Sequence, residues 1–571
     1  MKVSDYIVEF LIEKGITDVF GYPGGSVANL MDSFYKKRSK ISAHVMYHEQ
    51  AAGFAACAYS AVNGIPGVVY ATGGPGATNL VTAIGNAYYD SIPVIFLTGN
   101  VNTHETKGKM KVRQCSFQES DIIPVVESLT KYSVYVNKCE EIGYYLEKAY
   151  SIAMQGRRGP VLLDLPMDVQ RGNVDLKTMR KYTHADIREG LDCKEKFREK
   201  LTELLKKSKR PCFLFGNAIK LFNINEIAKN VVEKFKIPYV TSMIAFDVLE
   251  HNPYYYGFIG AYGMRQANFI VAKSDLVISI GSRMDIRQVG AKRENFAREA
   301  CIMRIDIDDE ELKYQVHKNE YSFNLSVEDA FDILMNIQKD YNYEEWLSIC
   351  NNINDKLKGY DDRMPNEYME KVSELIEENT IVTTDVGQNQ VWVAQSFAIK
   401  NGQKVLFSGG MGAMGYALPA AIGAYYANPY KKVVCICGDG GLQMNIQELQ
   451  YIVRENIPIK IVVLNNNALG MIRHFQEMYF DGCYFQTTNR GGYTSPNFDK
   501  VAEAYGLYHK VANKLEDIEK CKELLTNDFP ALLEIRIYEN TYVLPKLEYG
   551  KPNQDQWPSL ERKLYKELEE L

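Results

Sequence analysis

The sequence predicts an α/β protein built from three doubly wound parallel-sheet domains. Its 571 residues are too many for one hydrophobic core, and this length suggests about three domains. Short apolar segments of strand length alternate with segments of helix length along almost the whole chain. This alternation is typical of parallel sheets that carry helices on both faces.

Twelve apolar segments are the predicted strands, and two polar stretches divide them into three groups. The groups are 67–72, 93–99 and 160–166; then 211–216, 238–242, 275–281 and 301–308; then 380–387, 404–408, 432–440, 459–467 and 531–537. The dividing stretches are 171–195, a predicted linker, and 337–362, rich in Asn and Lys. We therefore expect domains at 1–170, 190–337 and 362–545, followed by a tail at 546–571 that ends in a charged helix.

Composition excludes several classes of protein. The net charge of −6 gives no sign of a nucleic-acid-binding surface, and no run of 18 apolar residues predicts a membrane span. The first residues, with Asp5, Glu9 and Glu13, predict an amphipathic helix rather than a secretory signal, which favours the cytoplasm. The 11 cysteines include no Cys-x-x-Cys pair, so we expect free, mostly buried thiols.

Two consecutive predicted strands end in polar sequences, Gly-Asp-Gly-Gly at 438–441 and Asn-Asn-Asn at 465–467. Ligands of open parallel sheets bind beyond the carboxyl ends of the strands. Asp439 offers a carboxylate oxygen and Asn466, 27 residues on, an amide oxygen, a donor pair that suits Mg²⁺ beside a diphosphate. Three glycines let backbone N–H groups approach a phosphate: Gly438, Gly440 and Gly441. The alternative is two ordinary strand-to-helix turns.

This pair of motifs resembles the signature of thiamine-diphosphate enzymes, in which Gly-Asp-Gly is followed about 25 residues later by Asn-Asn. The resemblance implies that Asp439, Asn466 and the main-chain carbonyl of Ala468 hold the metal. It also implies the fold of that family, with a pyrimidine-binding domain first, a central domain second and a diphosphate-binding domain third.

A thiamine enzyme also needs a glutamate that hydrogen-bonds the pyrimidine ring, so that the cofactor's own amino group acts as base. Glu49 follows a short apolar run and begins an Ala-rich segment, the place where the family carries this residue. Read alone, Glu49 is an acid at a helix start, favoured by the helix dipole. Its neighbours "GYPGGSV" (21–27) and "ATGGPGATN" (71–79) are similar to those of the acetolactate-synthase-like branch.

The resemblance to that branch runs nearly end to end, through "DSIPVIFLTG" (90–99), "GPVLLDLPMDVQ" (159–170) and "SGGMGAMGYALPAAIGA" (408–424). It implies that Met414 bends the cofactor and that the Gly412 carbonyl holds its amino group. It implies further cofactor contacts from Val386, Gly387, Gln388, Asn389, Leu469, Gly470 and Met471. It also implies a homodimer or homotetramer in which each active site lies between two subunits.

The branch catalyses carboligation, so the resemblance implies decarboxylation of pyruvate and addition of the two-carbon unit to a carbonyl acceptor. With a second pyruvate the product is 2-acetolactate. Phe117 and Gln118 match residues that face the substrate, and Gly25 matches one close to the reacting centre. Apolar side chains after the metal motif, Leu469, Met471 and Ile472, suit a site that excludes water, although helix packing explains them equally well.

Departures from the branch concentrate on the acceptor side. Phe475 and His474 replace a tryptophan and a glutamine, Met167 replaces a lysine, and Ala261-Tyr262 replaces a Met-His pair. These changes weaken an assignment to branched-chain amino acid biosynthesis and leave the carboligation standing. An acceptor such as a keto-sugar nucleotide fits nearly as well, with the tail segment 549–560 covering it.

Flavin is a separate question, because the branch binds FAD in its central domain. Arg283 matches a residue that contacts flavin and substrate, and "RIDIDDEE" (304–311) resembles a segment that touches it. The three-glycine turn of the flavin site is reduced here to "FGN" (215–217), and this bulkier turn argues against FAD.

Three rival functions remain to be compared with carboligation. A simple 2-oxo-acid decarboxylase would use two neighbouring histidines in the first domain, whereas His104 stands alone in its segment, "NVNTHETKGK". A pyruvate oxidase would need an intact flavin site. A regulatory or scaffold protein on the same fold would be expected to lose Glu49 or Asp439, and both are present.

Overall fold

A computed structural model describes residues 1–183, 191–338 and 341–571. Part of the predicted linker, 184–190, and residues 339–340 of the second polar stretch lie outside the described residues. The described chain contains three sheets of six strands, and all their strand pairs are parallel. The α/β prediction with three parallel sheets is therefore confirmed.

The first sheet has the strand order β2-β1-β3-β4-β6-β5. Its strands are β1 (Asp18–Gly21), β2 (Ser42–Val45), β3 (Gly67–Ala71), β4 (Val94–Asn100), β5 (Tyr132–Tyr135) and β6 (Val161–Pro166). Its helices are α1 (Val3–Glu13), α2 (Ala28–Lys36), α3 (Glu49–Asn63), α4 (Pro75–Asn79), α5 (Val81–Tyr89), α6 (Ile123–Val126), α7 (Ile142–Met154) and α8 (Met167–Arg171). The predicted amphipathic helix at the start of the chain is α1.

The second sheet has the order β12-β11-β10-β7-β8-β9. Its strands are β7 (Pro211–Phe215), β8 (Tyr239–Thr241), β9 (Tyr255–Phe258), β10 (Leu276–Ile280), β11 (Cys301–Asp306) and β12 (Glu320–Asn324). Its helices are α9 (Leu191–Lys207), α10 (Ala218–Leu221), α11 (Asn225–Phe235), α12 (Arg265–Lys273), α13 (Ile286–Val289), α14 (Asp309–Lys313), α15 (Val327–Asn336) and α16 (Glu344–Leu357). The α16 helix lies in the polar stretch 337–362 and buries Trp346 and Ile353 in the central core.

The third sheet has the order β14-β13-β15-β16-β18-β17. Its strands are β13 (Ile381–Thr384), β14 (Lys404–Leu406), β15 (Val433–Gly438), β16 (Lys460–Asn465), β17 (Tyr508–Ala512) and β18 (Ala531–Arg536). Its helices are α17 (Met364–Leu375), α18 (Gln388–Ser396), α19 (Ala417–Ala427), α20 (Asp439–Met444), α21 (Glu448–Arg454), α22 (Gly470–Tyr479), α23 (Phe498–Tyr505), α24 (Leu515–Glu519) and α25 (Lys522–Thr526).

The first and third sheets share one hydrophobic core, because helix α3 packs directly on helix α19. A side chain at Gly423 would overlap the carbonyl oxygen of Ala55, so glycine is required where the two helices cross. The tail returns to the central domain, where the last helix, α26 (Arg562–Glu570), buries Leu568 in the central core. The predicted charged C-terminal helix is confirmed.

All 11 cysteines are free, and six of them are buried, as the sequence predicts. Among the described residues no helix combines the length and the apolar character needed to cross a bilayer.

Candidate active site

Three loops lie side by side at the carboxyl edge of the third sheet. They follow β13, β15 and β16, which are consecutive neighbours in the sheet, with Gly438 at the end of β15 opposite Leu464 near the end of β16. The predicted neighbourhood of Asp439 and Asn466 is therefore present, since each lies just beyond the end of one of two paired strands. Helices α18 and α22 also begin at this edge, and their N-termini favour an anion.

The oxygen donors suit Mg²⁺ better than a transition metal. Asp439 and Asn466 are both buried, and the Asn466 amide is oriented by its NH₂ group, which donates to Gln388 Oε1 at 3.0 Å and Thr541 Oγ1 at 3.2 Å. Its Oδ1 accepts from the N–H of Ala468 at 3.2 Å. No cluster of three or more His, Cys, Asp or Glu side chains suited to a metal occurs in the described chain. A cation here would depend on mixed oxygen donors and phosphate, the preference of Mg²⁺.

The three consecutive asparagines have three different roles. Asn465 donates to Glu534 at 2.7 Å and accepts from the N–H of Asn467 at 2.9 Å. Asn467 has a φ of +51°, a left-handed conformation that asparagine tolerates, and its Oδ1 accepts from the N–H and hydroxyl of Ser495. The outer two asparagines therefore fix the turn that presents Asn466.

Tyr493 contacts the aspartate directly, and the sequence analysis did not identify it. Its hydroxyl donates to Asp439 Oδ2 at 3.1 Å, and Gln443 Nε2 lies 3.4 Å from the same hydroxyl. Burial raises the pKa of Asp439 to about 7 and also raises the pKa of Tyr493, so the phenol remains a donor. The tyrosine comes from the loop before α23, 54 residues beyond the aspartate, and no local motif relates the two.

The glycines of the site have different surroundings. At Gly438 an added Cβ would meet only Asn389 Nδ2 at 3.6 Å and Leu464 O at 4.0 Å, so this backbone is open. At Gly441 a Cβ would lie 2.7 Å from the Asp385 carboxylate, and at Gly440 it would meet Leu469, Tyr493 and Met414 at 3.0 to 3.3 Å. A side chain at Gly470 would overlap Gln388 Oε1. Gly441 and Gly470 therefore admit neighbouring side chains, a role different from approach to a phosphate.

Asp385 supports the loop that carries Met414. Its fully buried carboxylate accepts from the N–H groups of Gly415 at 3.0 Å and Ala417 at 3.1 Å, and burial raises its pKa to about 6. Gly412 has a φ of +67° and no atom within 4 Å of an added Cβ. The segment around Gly412 and Met414 is thus anchored at one end and open at the other.

The remaining predicted cofactor contacts lie along the same edge. Val386 and Gly387 are partly exposed at the end of β13, and Gly387 has a φ of +143°. Asn389 is buried, and its Oδ1 has no partner among the described residues. Leu469 is partly exposed, whereas Met471 packs against the core of the third domain, which supports the packing explanation for that side chain.

Glu49 lies at the corresponding edge of the first sheet. It begins α3, is 9 % exposed, and accepts from Asn79 Nδ2 at 2.9 Å. A Cβ on Gly76 would lie 3.2 Å from Glu49 Oε1, so this glycine gives the carboxylate room. The two glycine-rich segments meet beside it, because Ser26 Oγ contacts Thr72 Oγ1 at 2.8 Å and accepts from the N–H of Gly73 at 2.8 Å. Gly25 itself has open space around it.

Phe117 and Gln118 lie on an exposed loop over these segments. Gln118 has a φ of +64°, and its backbone packs against Gly74, where an added Cβ would lie 3.1 Å from the Gln118 carbonyl oxygen. The Glu119 carboxylate holds the loop by accepting from backbone N–H groups of Lys107 and Cys115. Phe117 is 86 % exposed, so no part of the described chain covers it.

Two of the acceptor-side departures contact the tail. His474 is 2 % exposed and packs against the rings of Tyr542 and Trp557, with centroids 4.8 and 5.4 Å away. The Ala261 carbonyl accepts from the N–H of Leu547 at 2.7 Å. Both altered positions therefore hold the tail, whereas Phe475 on the same helix, α22, remains 45 % exposed.

Arg283 lines a cavity between the three domains, together with Asp90, Asn217, Asp306 and Gly409. This cavity has a volume of 120 Å³, and an adjoining one of 480 Å³ shares Arg157, Arg158 and Arg283 with it. A dinucleotide would place a diphosphate among these cations.

The four cations of the two cavities already have partners. Arg283 pairs with Asp285 at 2.9 Å, and Arg157 pairs with Asp308 at 3.0 Å and Glu311 at 2.8 Å. Arg158 and Lys131 donate to main-chain carbonyls. With Asn217 in place of a glycine as well, these residues do not fit FAD in the observed arrangement, and we assign no step to it.

Within the described parts of one chain, no hydrogen bond or ion pair joins Glu49 to Asp439 or Asn466. The first and third domains contact each other elsewhere. The buried Glu448 carboxylate accepts from the N–H of Tyr47 at 3.0 Å, and burial raises its pKa to about 7. Asp90 accepts from the N–H groups of Gly409 and Gly410.

Three family models match the chain, one for each sheet. The thiamine pyrophosphate enzyme N-terminal TPP binding domain matches residues 1–125, the central domain matches 198–330, and the C-terminal TPP binding domain matches 385–535.

Curated relatives match almost the whole chain. The acetolactate synthase isozyme 2 large subunit of Escherichia coli (strain K12) is 32 % identical over 569 residues, covering 97 % of this chain and 99 % of the relative. The acetolactate synthase large subunit of Lactococcus lactis subsp. lactis (strain IL1403) is 34 % identical, covering 96 % and 94 %. The probable acetolactate synthase large subunit of Methanocaldococcus jannaschii is 36 % identical, also covering 96 % and 94 %.

Proposed function

The chain belongs to the thiamine pyrophosphate enzymes, in the branch of the acetolactate synthase large subunits, and from this premise we propose its reaction. It decarboxylates pyruvate and joins the two-carbon unit to a carbonyl acceptor. The simplest acceptor is a second pyruvate, which gives 2-acetolactate. Thiamine diphosphate, when bound, supplies the carbanion chemistry. The chain's own residues bind and orient the cofactor and the substrate and protect the reacting centre from water.

One observation carries this proposal: the carboxylate of Asp439 and the amide of Asn466 lie at the ends of two paired strands, beside two helix N-termini. We assign Asp439, Asn466 and the Ala468 carbonyl to Mg²⁺ and the diphosphate to the same edge. Gln388 and Thr541 orient the asparagine amide, and Tyr493 orients the aspartate.

Glu49 is assigned the role of holding a proton at the cofactor's pyrimidine ring. Its burial and the side-chain donor Asn79 fix the carboxylate at the start of α3. Burial keeps competing water away, which strengthens a hydrogen bond to a ligand. Gly25, Phe117 and Gln118 lie around the same edge and are assigned to the substrate.

The active enzyme is proposed to be a homodimer or a pair of such dimers, with each active site shared by two chains. Support comes from exposed apolar side chains on both halves of the site. On the first domain these are Met110, Val112 and Phe117; on the third they are Met444, Ile472, Phe475, Phe480 and Phe485. Apolar surface of this kind around a binding edge favours burial against another chain. We keep the domain bounds 1–170, 190–337 and 362–545, with the tail at 546–571, and a cytoplasmic location as parts of the proposal.

Flavin has no part in the proposed reaction, because the cations that line the central cavity are committed to protein partners. This also disfavours oxidation of pyruvate. A simple decarboxylase is disfavoured because His104 is the lone histidine of its segment and is 70 % exposed in its side chain.

A second acceptor class, a keto-sugar nucleotide, is favoured by a different observation. The tail covers His474 and Ala261, so the acceptor side differs in construction from a site that selects a small 2-oxo acid. Both acceptor classes share the same donor half-reaction.

Incubation with ¹³C-labelled pyruvate, Mg²⁺ and thiamine diphosphate, followed by product identification, separates these functions. We expect 2-acetolactate. Acetaldehyde as the main product would favour the decarboxylase, and labelled CO₂ release that requires an added keto-sugar nucleotide would favour the second acceptor class. Absence of CO₂ release under every condition would contradict the proposed function.

A further inference from the structure

Lys546 is a buried lysine whose ammonium has no hydrogen-bond or carboxylate partner among the described residues. Three lysines in the described chain are at most 9 % exposed: Lys220, Lys460 and Lys546. Lys220 pairs with Asp247 at 2.6 Å, and Lys460 donates to Asn527 at 2.5 Å and to the carbonyl of Phe529. No hydrogen bond or carboxylate within 4.0 Å is found for the ammonium of Lys546 in the part of the chain described.

An unpaired ammonium in such a place is costly. Removing a charge from water without a counter-ion destabilises the folded state unless a partner compensates. Burial correspondingly lowers the pKa of Lys546. The Nζ atom of Lys546 is not fully enclosed, unlike the Nε2 atom of the neighbouring His474, so solvent can still reach the ammonium.

The surroundings of Lys546 lie on the acceptor side of the proposed site. Its Nζ lies 5.7 Å from the ring centroid of Phe475 and 5.9 Å from that of Tyr479. Gly470, the first residue of α22, packs on Asn466. Phe475 is five residues further along this helix, a distance of about 7.5 Å along its axis. The ammonium therefore lies beside the second turn of the helix that begins at the metal loop.

The backbone of Lys546 is held firmly in this position. Its N–H donates to the Trp557 carbonyl at 2.9 Å, and the Trp557 N–H donates back to the Lys546 carbonyl at 2.8 Å. The next residue, Leu547, donates to Ala261 of the central domain at 2.7 Å. The cation is thus presented by a fixed segment and does not depend on a mobile tail.

We propose that Lys546 binds the anionic group of the acceptor substrate, a carboxylate or a phosphate, and so determines which acceptors are used. The inference rests on the proposed function, because it assumes that α22 borders the acceptor. Burial beside Phe475 and the absence of a protein counter-ion are the observations that carry it.

The test compares charged and neutral acceptors in the Lys546→Met and Lys546→Arg variants. The donor is pyruvate, and the acceptors are pyruvate itself, a uridine-diphosphate-linked keto-sugar and neutral benzaldehyde. We expect Lys546→Met to lower kcat/KM roughly 10- to 100-fold for the charged acceptor that the wild type uses, as loss of one charge-assisted hydrogen bond implies. Transfer to benzaldehyde should be unchanged, and Lys546→Arg should recover much of the loss.

The matched control is Lys551→Met, which removes an exposed tail lysine paired with Asp555 at 3.6 Å. This variant should leave kcat/KM unchanged for every acceptor. Thiamine diphosphate affinity, measured by fluorescence titration, should be equal in all variants. An equal fall for charged and neutral acceptors in Lys546→Met, or no fall for either, would overturn the role of Lys546. Failure of the wild type to release CO₂ from labelled pyruvate would instead overturn the proposed function.

Discussion

At the scale of single residues, the metal edge depends on side chains that orient the donors. Asp439 is buried with no cation beside it, and Tyr493 engages one of its two carboxylate oxygens at 3.1 Å. Asn466 is oriented in a similar way by Gln388 and Thr541. Such outer partners set how well a metal is held, although they do not touch it.

We predict that Tyr493→Phe weakens Mg²⁺ binding because it frees the Asp439 carboxylate to rotate. The dissociation constant for Mg²⁺ should rise roughly 10- to 100-fold. Titration of Mg²⁺ into the protein with excess thiamine diphosphate, followed by fluorescence, measures it. The control is Tyr484→Phe, which removes a hydroxyl bonded to Glu477 at 3.2 Å, away from the metal edge. Equal Mg²⁺ affinity in the Tyr493 variant and the wild type would refute the orienting role.

Glu49→Gln is predicted to lower turnover of pyruvate by at least about 100-fold, the scale of a lost proton-transfer partner. The amide keeps the shape and the acceptor for Asn79, so thiamine diphosphate should still bind with wild-type affinity by isothermal titration calorimetry. Glu13→Gln, at an exposed position of α1, serves as the control. Undiminished turnover in the Glu49 variant would contradict the assignment.

At the scale of secondary structure, the sequence predicted the strands that are buried on both faces. All 12 apolar segments are strands. Among them, β3, β4 and β10 are buried at every residue, and β15 is buried at every residue except its last. The strands that were not predicted from the sequence lie mainly at sheet edges, such as β5, β12 and β17, where one face meets solvent. An exposed face carries polar residues, so these strands show no apolar run.

The residues of the candidate site could likewise be predicted only where a local sequence pattern marks them. Local motifs located Asp439, Asn466 and Glu49, because a strand end and a helix start can be recognised from neighbouring residues. Tyr493, Glu448 and Lys546 were missed. Tyr493 is 54 residues from its partner and Glu448 is 401 residues from Tyr47, so only the folded chain relates them.

Glu448→Ala is predicted to loosen the connection between β2 and α3. The substitution leaves the partly buried N–H of Tyr47 without its acceptor, which should lower the free energy of unfolding by about 1 kcal/mol. Urea unfolding measures this change, and faster hydrogen exchange at Tyr47 locates it. Glu455→Ala is the control, since Glu455 is exposed and pairs with its neighbour Arg454. A similar loss of stability in both variants would argue against a specific role for Glu448.

At the scale of the whole molecule, the two halves of the proposed site are not bonded to each other within the described parts of one chain. One chain joins its first and third domains through α3 and α19 and through Glu448, but not through Glu49 and Asp439. Exposed apolar side chains remain on both halves, with Phe117 86 % exposed. A symmetric dimer would satisfy both surfaces at once, since a two-fold axis brings the first domain of each chain to the third domain of the other.

This arrangement predicts complementation between two inactive variants. Glu49→Gln damages the first-domain half of a site, and Asp439→Ala damages the metal half. If each site combines Glu49 of one chain with Asp439 of the other, a mixed dimer contains one site with both residues intact and one with neither. Refolding an equal mixture should therefore restore about a quarter of wild-type activity, because half of randomly formed dimers are mixed and each has one working site. Each variant refolded alone is the control and should stay inactive. If both residues belonged to the same chain's site, every site in every dimer would carry one defect, and the mixture would remain as inactive as the separate variants.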